Sequence, residues 1–91
     1  VSAVVRLPSQ LRSLADGRAE LEVEGKTVGE VLAAAGVVCP GLTDRLFDDA
    51  GQLRRFVNVF VAEEDVRFHS GLDTPVAPGG VVSIVPAVAG G

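Results

Sequence analysis

Thr27-Val-Gly-Glu-Val-Leu-Ala-Ala-Ala-Gly36 is the stretch that decides the fold. Thr27 and Glu30 stand in the Thr-x-x-Glu order of a capping box. In it the hydroxyl accepts from one unpaired N–H of the first turn, and the carboxylate reaches back to another. Behind them Val28, Val31, Leu32 and Ala35 recur at i, i+3, i+4 and i+7, one apolar stripe on one helix face. Gly36 follows where a left-handed C′ residue is expected. The spacing predicts a helix over 27–35, and a helix with one apolar face needs an apolar surface to lie on.

That surface is written on both sides of the helix. Residues 1–7 are rich in β-branched side chains and end at Pro8, the pattern of a strand. Leu11 and Leu14 then offer one helical turn, and Asp16-Gly17 a tight turn. In residues 19–24, Leu21 and Val23 alternate with Glu20, Glu22 and Glu24, so this strand has one dry and one wet side. Beyond the helix, Cys39-Pro40-Gly41 breaks the chain and 42–47 offers a second helical turn. Residues 55–61 form a strand with Val57, Val59 and Val61 on one face and Phe56, Asn58 and Phe60 on the other. Ala62-Glu-Glu-Asp65 turns into a short companion strand over 66–68. Residues 81–85 are the last strand, which Pro86 stops. Strand, strand, helix, strand, short strand, strand gives an α+β layer, one sheet covered by one main helix. It is also the order of a β-grasp domain, although periodicity leaves the strand pairing open.

Composition narrows the function. Ninety-one residues allow one domain. A chain this short buries only roughly 60–65% of its unfolded surface, which calls for a dense aliphatic core. The 47% hydrophobic content and a mean hydropathy of +0.37 provide one and argue against disorder. A net charge of −4 argues against nucleic acid and anionic membrane surfaces, both of which select basic faces. No apolar run approaches the ~20 residues of a membrane span, and no signal-peptide pattern is present. The initiator Met is either removed or not included in this sequence, and a small Val1 fits removal. The expectation is a cytoplasmic protein that is monomeric when free.

Catalytic sets are scarce. Cys39 and His69 are the only Cys and His in the chain, so no disulfide framework or multi-ligand metal site is available. Nothing in the spacing brings the two together. A lone Cys after Val37-Val38 reads as a small buried hydrophobe, and a His beside Ser70 and Gly71 as a solvated loop residue. Asp48-Asp49 and Glu63-Glu64-Asp65 lack the spaced oxygen ligands of a calcium loop and read as solvated turns. Gly79-Gly80 precedes a strand and lacks the lysine and helix of a phosphate-binding loop. The chain is therefore expected to hold no metal or cofactor and not to be an enzyme by its own side chains.

The end of the chain remains. Pro86-Ala-Val-Ala-Gly-Gly91 has no charged side chain and no bulk beyond Val88. One reading is a frayed terminus. The other is a slim substrate tail, because glycines let backbone enter a partner's groove with no Cβ in the way. Residues 87–91, if extended, reach roughly 16–18 Å beyond the domain. The chemistry of such a tail lies in its α-carboxylate, ionised above a pKa of about 3.3–3.7 and so a poor electrophile. A partner must convert it to an acyl-adenylate with ATP and Mg²⁺ before sulfide or a thiol attacks; attack by sulfide leaves a thiocarboxylate.

With these features together, the sequence resembles the ubiquitin-like sulfur-carrier proteins of the ThiS/MoaD/CysO type over nearly its whole length. The likeness is carried by Val4-Val-Arg-Leu-Pro8 with Leu11-Arg12, Thr27-Val-Gly-Glu-Val-Leu32, Phe56-Val-Asn-Val59 and the run from Val81 to Gly91. Arg55-Phe-Val-Asn58, Glu64-Asp-Val-Arg-Phe68 and the Gly-Gly end are most similar to the CysO type of actinobacteria, which serves cysteine biosynthesis or sulfur-containing natural products and thiosugars. The resemblance implies a β-grasp domain over 1–86, a mixed sheet of four to five strands on one main helix, followed by a flexible Gly-Gly tail over 87–91. It implies that Gly91 is adenylated by an E1-like adenylyltransferase of the ThiF/MoeB type and converted to a thiocarboxylate. The sulfur then passes to an accepting synthase, and a JAMM-type metalloprotease is a further candidate partner. Gly90, Ala89, Val88 and Ala87 would lie in the partner's channel.

On the β-grasp pattern, Val82 and Ile84 face the helix while Ser83 and Val85 face out. Phe60 and Val85, with Phe56 beside them, are thus expected to form an apolar docking patch; a contiguous patch of that kind marks a partner site. The plainer alternative has Phe60 packed under the loop 63–71. The net charge implies a partner with a basic docking surface. Three rival functions stay open: the small MoaD-type subunit of molybdopterin synthase, a ubiquitin-like modifier joined to lysines through Gly91, and a β-grasp interaction module whose tail is incidental.

Overall fold

A computed structural model describes residues 2–54 and 57–86; Phe56 and the tail residues Ala87, Val88, Ala89, Gly90 and Gly91 lie outside the described residues, and the expectations placed on them stay with the sequence. The elements run β1 (Ser2–Arg6), a 3₁₀ turn (Ser9–Ala15), β2 (Glu20–Glu24), α1 (Val28–Val38), α2 (Leu42–Leu46), β3 (Val57–Val61), β4 (Glu64–Asp65), two 3₁₀ turns (Val66–Phe68 and Gly71–Asp73) and β5 (Val81–Pro86). The five strands form one mixed sheet in the order β2-β1-β5-β3-β4. At its centre β1 and β5 run parallel, with Val4 opposite Val81 and Arg6 opposite Ser83. All other pairs are antiparallel.

Alternation sets which side of the sheet is dry. Ala3 and Val5 of β1, Leu21 and Val23 of β2, Val59 of β3 and Val82 and Ile84 of β5 are buried. Against them lie Val28, Val31, Leu32 and Ala35, the stripe expected for α1. Leu42 and Leu46 of α2 close the core. Burying one such aliphatic side chain contributes roughly 1.5–3 kcal/mol, so this interface is what holds the two layers together.

Three local expectations needed correction. The helix passes through Gly36 and ends at Val38, with Cys39 as its cap. Cys39 precedes Pro40, a position from which helical dihedrals are disfavoured. Gly36 has a packing role instead: a Cβ there would collide with Thr43 Oγ1 at the start of α2. The capping box is also shifted by one residue. Glu30 N–H donates to Thr27 Oγ1 (3.2 Å), but the Glu30 carboxylate accepts from Lys26 N–H (3.1 Å) rather than from Thr27. Finally, the companion strand is Glu64–Asp65, and Val66–Phe68 is a 3₁₀ turn in which the Arg67 N–H donates back to the Asp65 carboxylate.

Candidate functional site

The core takes one face of the sheet and leaves the other to solvent. Arg6 of β1, Phe60 of β3 and Ser83 and Val85 of β5 point outward by the same alternation that buries their neighbours. The antiparallel register sets Phe60 opposite Ser83 and Asn58 opposite Val85, so Phe60 and Val85 are diagonal neighbours. Both line one open cavity of about 520 Å³ with Arg6, Ala62, Glu63, Val81 and Ser83. Val85 is 44% exposed and Val81 37%, while Phe60 is half-buried and outside the core cluster. The structure thus brings Phe60 and Val85 to neighbouring positions on the outer face.

A second cavity of about 460 Å³ adjoins the first through Arg6, Ser83 and Val85 and extends to Leu7, Pro8, Arg12, Ala19 and Glu20. Because β5 runs parallel to β1, this cavity lies at the end of the sheet from which the chain continues past Pro86. Ser83 lines both cavities. Arg6 Nε donates to Glu20 Oε2 across the β1–β2 pair at 3.0 Å, an exposed ion pair of small energetic worth. Arg12 Nε donates to the Leu7 carbonyl at 3.1 Å.

The residues considered for catalysis do not assemble. Cys39 is buried at the end of α1, its N–H donating to the Ala35 carbonyl and its own carbonyl accepting from Leu42. His69 is exposed and contacts Ser70 Oγ at 3.1 Å. Asp48 Oδ1 accepts from the N–H groups of Ala50 and Gln52 and so closes its own turn. Among the described residues no group of three or more His, Cys, Asp or Glu is placed to hold a metal ion.

Two features escaped the sequence reading. Arg67, expected in a strand, bridges two segments: its guanidinium donates to Asn58 Oδ1, the Arg54 carbonyl and the Val57 carbonyl at 2.7–3.0 Å. Phe68 is 91% exposed. Both follow from the 3₁₀ turn, and no periodicity in three residues separates that turn from a strand.

With this geometry in place, comparison with known proteins is informative. The ThiS family model matches residues 5–91. The chain belongs to the ThiS family. This ThiS-family chain is 41% identical over 93 residues to the sulfur carrier protein CysO of Mycobacterium tuberculosis, covering 100% of both. Its structure matches a chain in the crystal structure of the Amycolatopsis orientalis BexX/CysO complex with a TM-score of 0.91 and 39% identity, over 98% of this chain and 99% of that one. It also matches SAMP1 from Haloferax volcanii with a TM-score of 0.84 and 30% identity over 100% of both. The helix on a five-stranded mixed sheet is therefore the β-grasp fold shared by these ThiS-family and ubiquitin-like proteins. Among the described residues, no helix is long and apolar enough to cross a membrane.

Proposed function

We propose that the chain is a sulfur carrier that bears its sulfur as a thiocarboxylate on Gly91. The observation that carries this reading is the end-to-end similarity to a sulfur carrier, with a family match that runs through residue 91. The lack of a catalytic constellation among the described residues supports it, because a carrier acts as co-substrate and its chemistry is done by partners.

The steps follow from carboxylate chemistry. An oxygen of the Gly91 carboxylate attacks the α-phosphorus of ATP, held with Mg²⁺ by an E1-like adenylyltransferase, and pyrophosphate leaves. Sulfide adds to the carbonyl carbon of the acyl-adenylate. The tetrahedral intermediate collapses by breaking the bond to AMP and leaves a thiocarboxylate. Its sulfur is then the nucleophile offered to an accepting synthase. Gly90 and Gly91 suit the narrow approach this requires, having no Cβ. Phe60 and Val85 form the docking patch, and residues 87–89 enter the partner's channel. The BexX/CysO complex supports a protein partner for such a chain, since there CysO is crystallised with a second protein.

The test is intact-mass measurement after incubation with a cognate E1-like enzyme, ATP and a sulfide source. The expected product has one oxygen replaced by sulfur, and an unchanged mass with an enzyme competent on another carrier overturns the reading. Similarity to SAMP1, a small archaeal modifier protein, favours one further reading, conjugation of Gly91 to lysines. Branched Gly-Gly remnants on lysines of digested cell protein are its signature.

A further inference from the structure

Of the chain's eight Lys and Arg residues, Lys26 is the one lysine. Packing explains some of the arginines. The Arg67 guanidinium spans three acceptors, a task for a planar fork. Arg6 and Arg12 have no such task. Each uses its Nε for one hydrogen bond, to the Glu20 carboxylate and to the Leu7 carbonyl, and an ammonium can donate to either acceptor as well. Both stand at the end of the sheet from which the chain continues past Pro86: Arg6 lies opposite Ser83, and Arg12 shares a cavity with Val85. Lys26 stands at the other end, exposed, just beyond Glu24. Glu24 pairs with Ser2, and the register of β1 on β5 sets Ser2 more than ~20 Å along the strands from Pro86.

A coil the length of residues 87–91 averages about 12 Å end to end. That is enough to bring Gly91 back to Arg6 or Arg12, but not to Lys26. A guanidinium also attracts carboxylate and phosphate oxygens, so charge on Gly91 or its adenylate favours the return. We propose that Arg6 and Arg12 are specificity-determining: they give activated Gly91 cationic charge beside its own domain and no amine, while the one lysine is held out of reach. The inference rests on the carrier reading and names what keeps the acyl-adenylate for sulfide. A lysine in either place would be free amine in a small fraction of molecules, its usual pKa being about 10.4. Its nitrogen would add to the carbonyl carbon of the acyl-adenylate and the bond to AMP would break. The nitrogen would give up two protons to water in all, leaving Gly91 joined to the side chain as an amide. A short tether sets an effective concentration of order 1 mM, which offsets the small free fraction. An arginine stays protonated and offers no such nucleophile.

The test prepares the full chain as a Gly91 thioester, an activated carbonyl that needs no enzyme, in the unmodified form and as Arg6→Lys, Arg12→Lys and Arg12→Gln. Thermal unfolding of each variant confirms that it is folded. Intact mass is then followed with time. The lysine variants are expected to give a monomer lighter than the free acid by one water, with peptide mapping placing Gly91 on position 6 or 12. This should run about a hundredfold faster than joining to Lys26 of a second copy at ~10 µM chain. The unmodified chain and Arg12→Gln should only hydrolyse. No self-joining in either lysine variant, or equal self-joining of the unmodified chain through Lys26, overturns the proposal. The same four chains are next incubated with the E1-like enzyme, ATP and sulfide. The lysine variants should lose thiocarboxylate to the lighter product, and Arg12→Gln should keep it. Equally clean loading of all four overturns the proposal and leaves the carrier reading standing; so does a loss in Arg12→Gln as large as in Arg12→Lys. Self-joining thioesters with no sulfur on the unmodified chain, from an enzyme competent on another carrier, retain the role of the arginines for an activated Gly91 and remove the carrier reading.

Discussion

Ala62 and Glu63 occupy the left-handed region at φ 52° and 69°, forming the two-residue turn between β3 and β4. Such a turn twists with its strands when both central residues have positive φ, and Asn-Gly is the sequence that meets this without strain. The chain uses Ala-Glu. Glu63→Gly is therefore expected to stabilise the fold by about 1 kcal/mol, since an L-residue in this region costs roughly 1–2 kcal/mol and glycine's extra unfolded entropy returns part of the gain. Urea denaturation checks the sign; a loss of stability would show that the turn is not strained. At this scale the sequence was least transparent. Gly25, unremarkable between Glu24 and Lys26, is required because a Cβ there would lie 2.8 Å from Val31 N in the first turns of α1. The clash is set by how closely the β2–α1 connection folds against the helix that follows it, and no residue pattern around Gly25 announces that approach.

Elements were legible in proportion to their length and period. Five alternating residues identify β2, and the stripe Val28, Val31, Leu32, Ala35 identifies α1 together with its dry side. Val66–Phe68 was misread because three residues, Val-Arg-Phe, carry strand propensity and no period. What decides their conformation is capping: Asp65 accepts from Arg67 N–H, and the Arg67 guanidinium gathers Asn58 and the carbonyls of Arg54 and Val57. The start of β3 is thus anchored by a side chain from after β4. Arg67→Ala should cost about 1–2 kcal/mol, the lower part of the range for hydrogen bonds to a charged group because the site is solvated. Amide hydrogen exchange should quicken first in β3. Arg67→Lys should recover little, since one ammonium cannot span the three acceptors that the planar guanidinium fork reaches. Full recovery by lysine would mean that charge, and not the fork, holds the segment.

On the scale of the whole molecule, stability and proposed chemistry are kept apart. Among the described residues, the core packs between the sheet, its two helices and the segments that connect them. The reactive group of the carrier reading is main-chain carboxylate, which is why neither Cys39 nor His69 needs a catalytic setting and why side-chain motifs alone could not reveal the function. Resemblance over the whole chain could, since it compares the end of the sequence in its fold context. Deleting Gly90 and Gly91 is accordingly expected to leave the unfolding midpoint unchanged and to abolish sulfur loading. Leu32→Ala should do the converse. Leu32 is fully buried under the sheet, and its truncation should cost about 2–5 kcal/mol, a large share of the roughly 5–15 kcal/mol that holds a small domain together. Below its lowered midpoint that variant should still load Gly91 to completion. Denaturation and intact-mass measurement on the same two variants decide the matter. A deletion variant that unfolds early would make the tail part of the fold, and a folded Leu32→Ala chain that fails to load would place part of the recognition in the core.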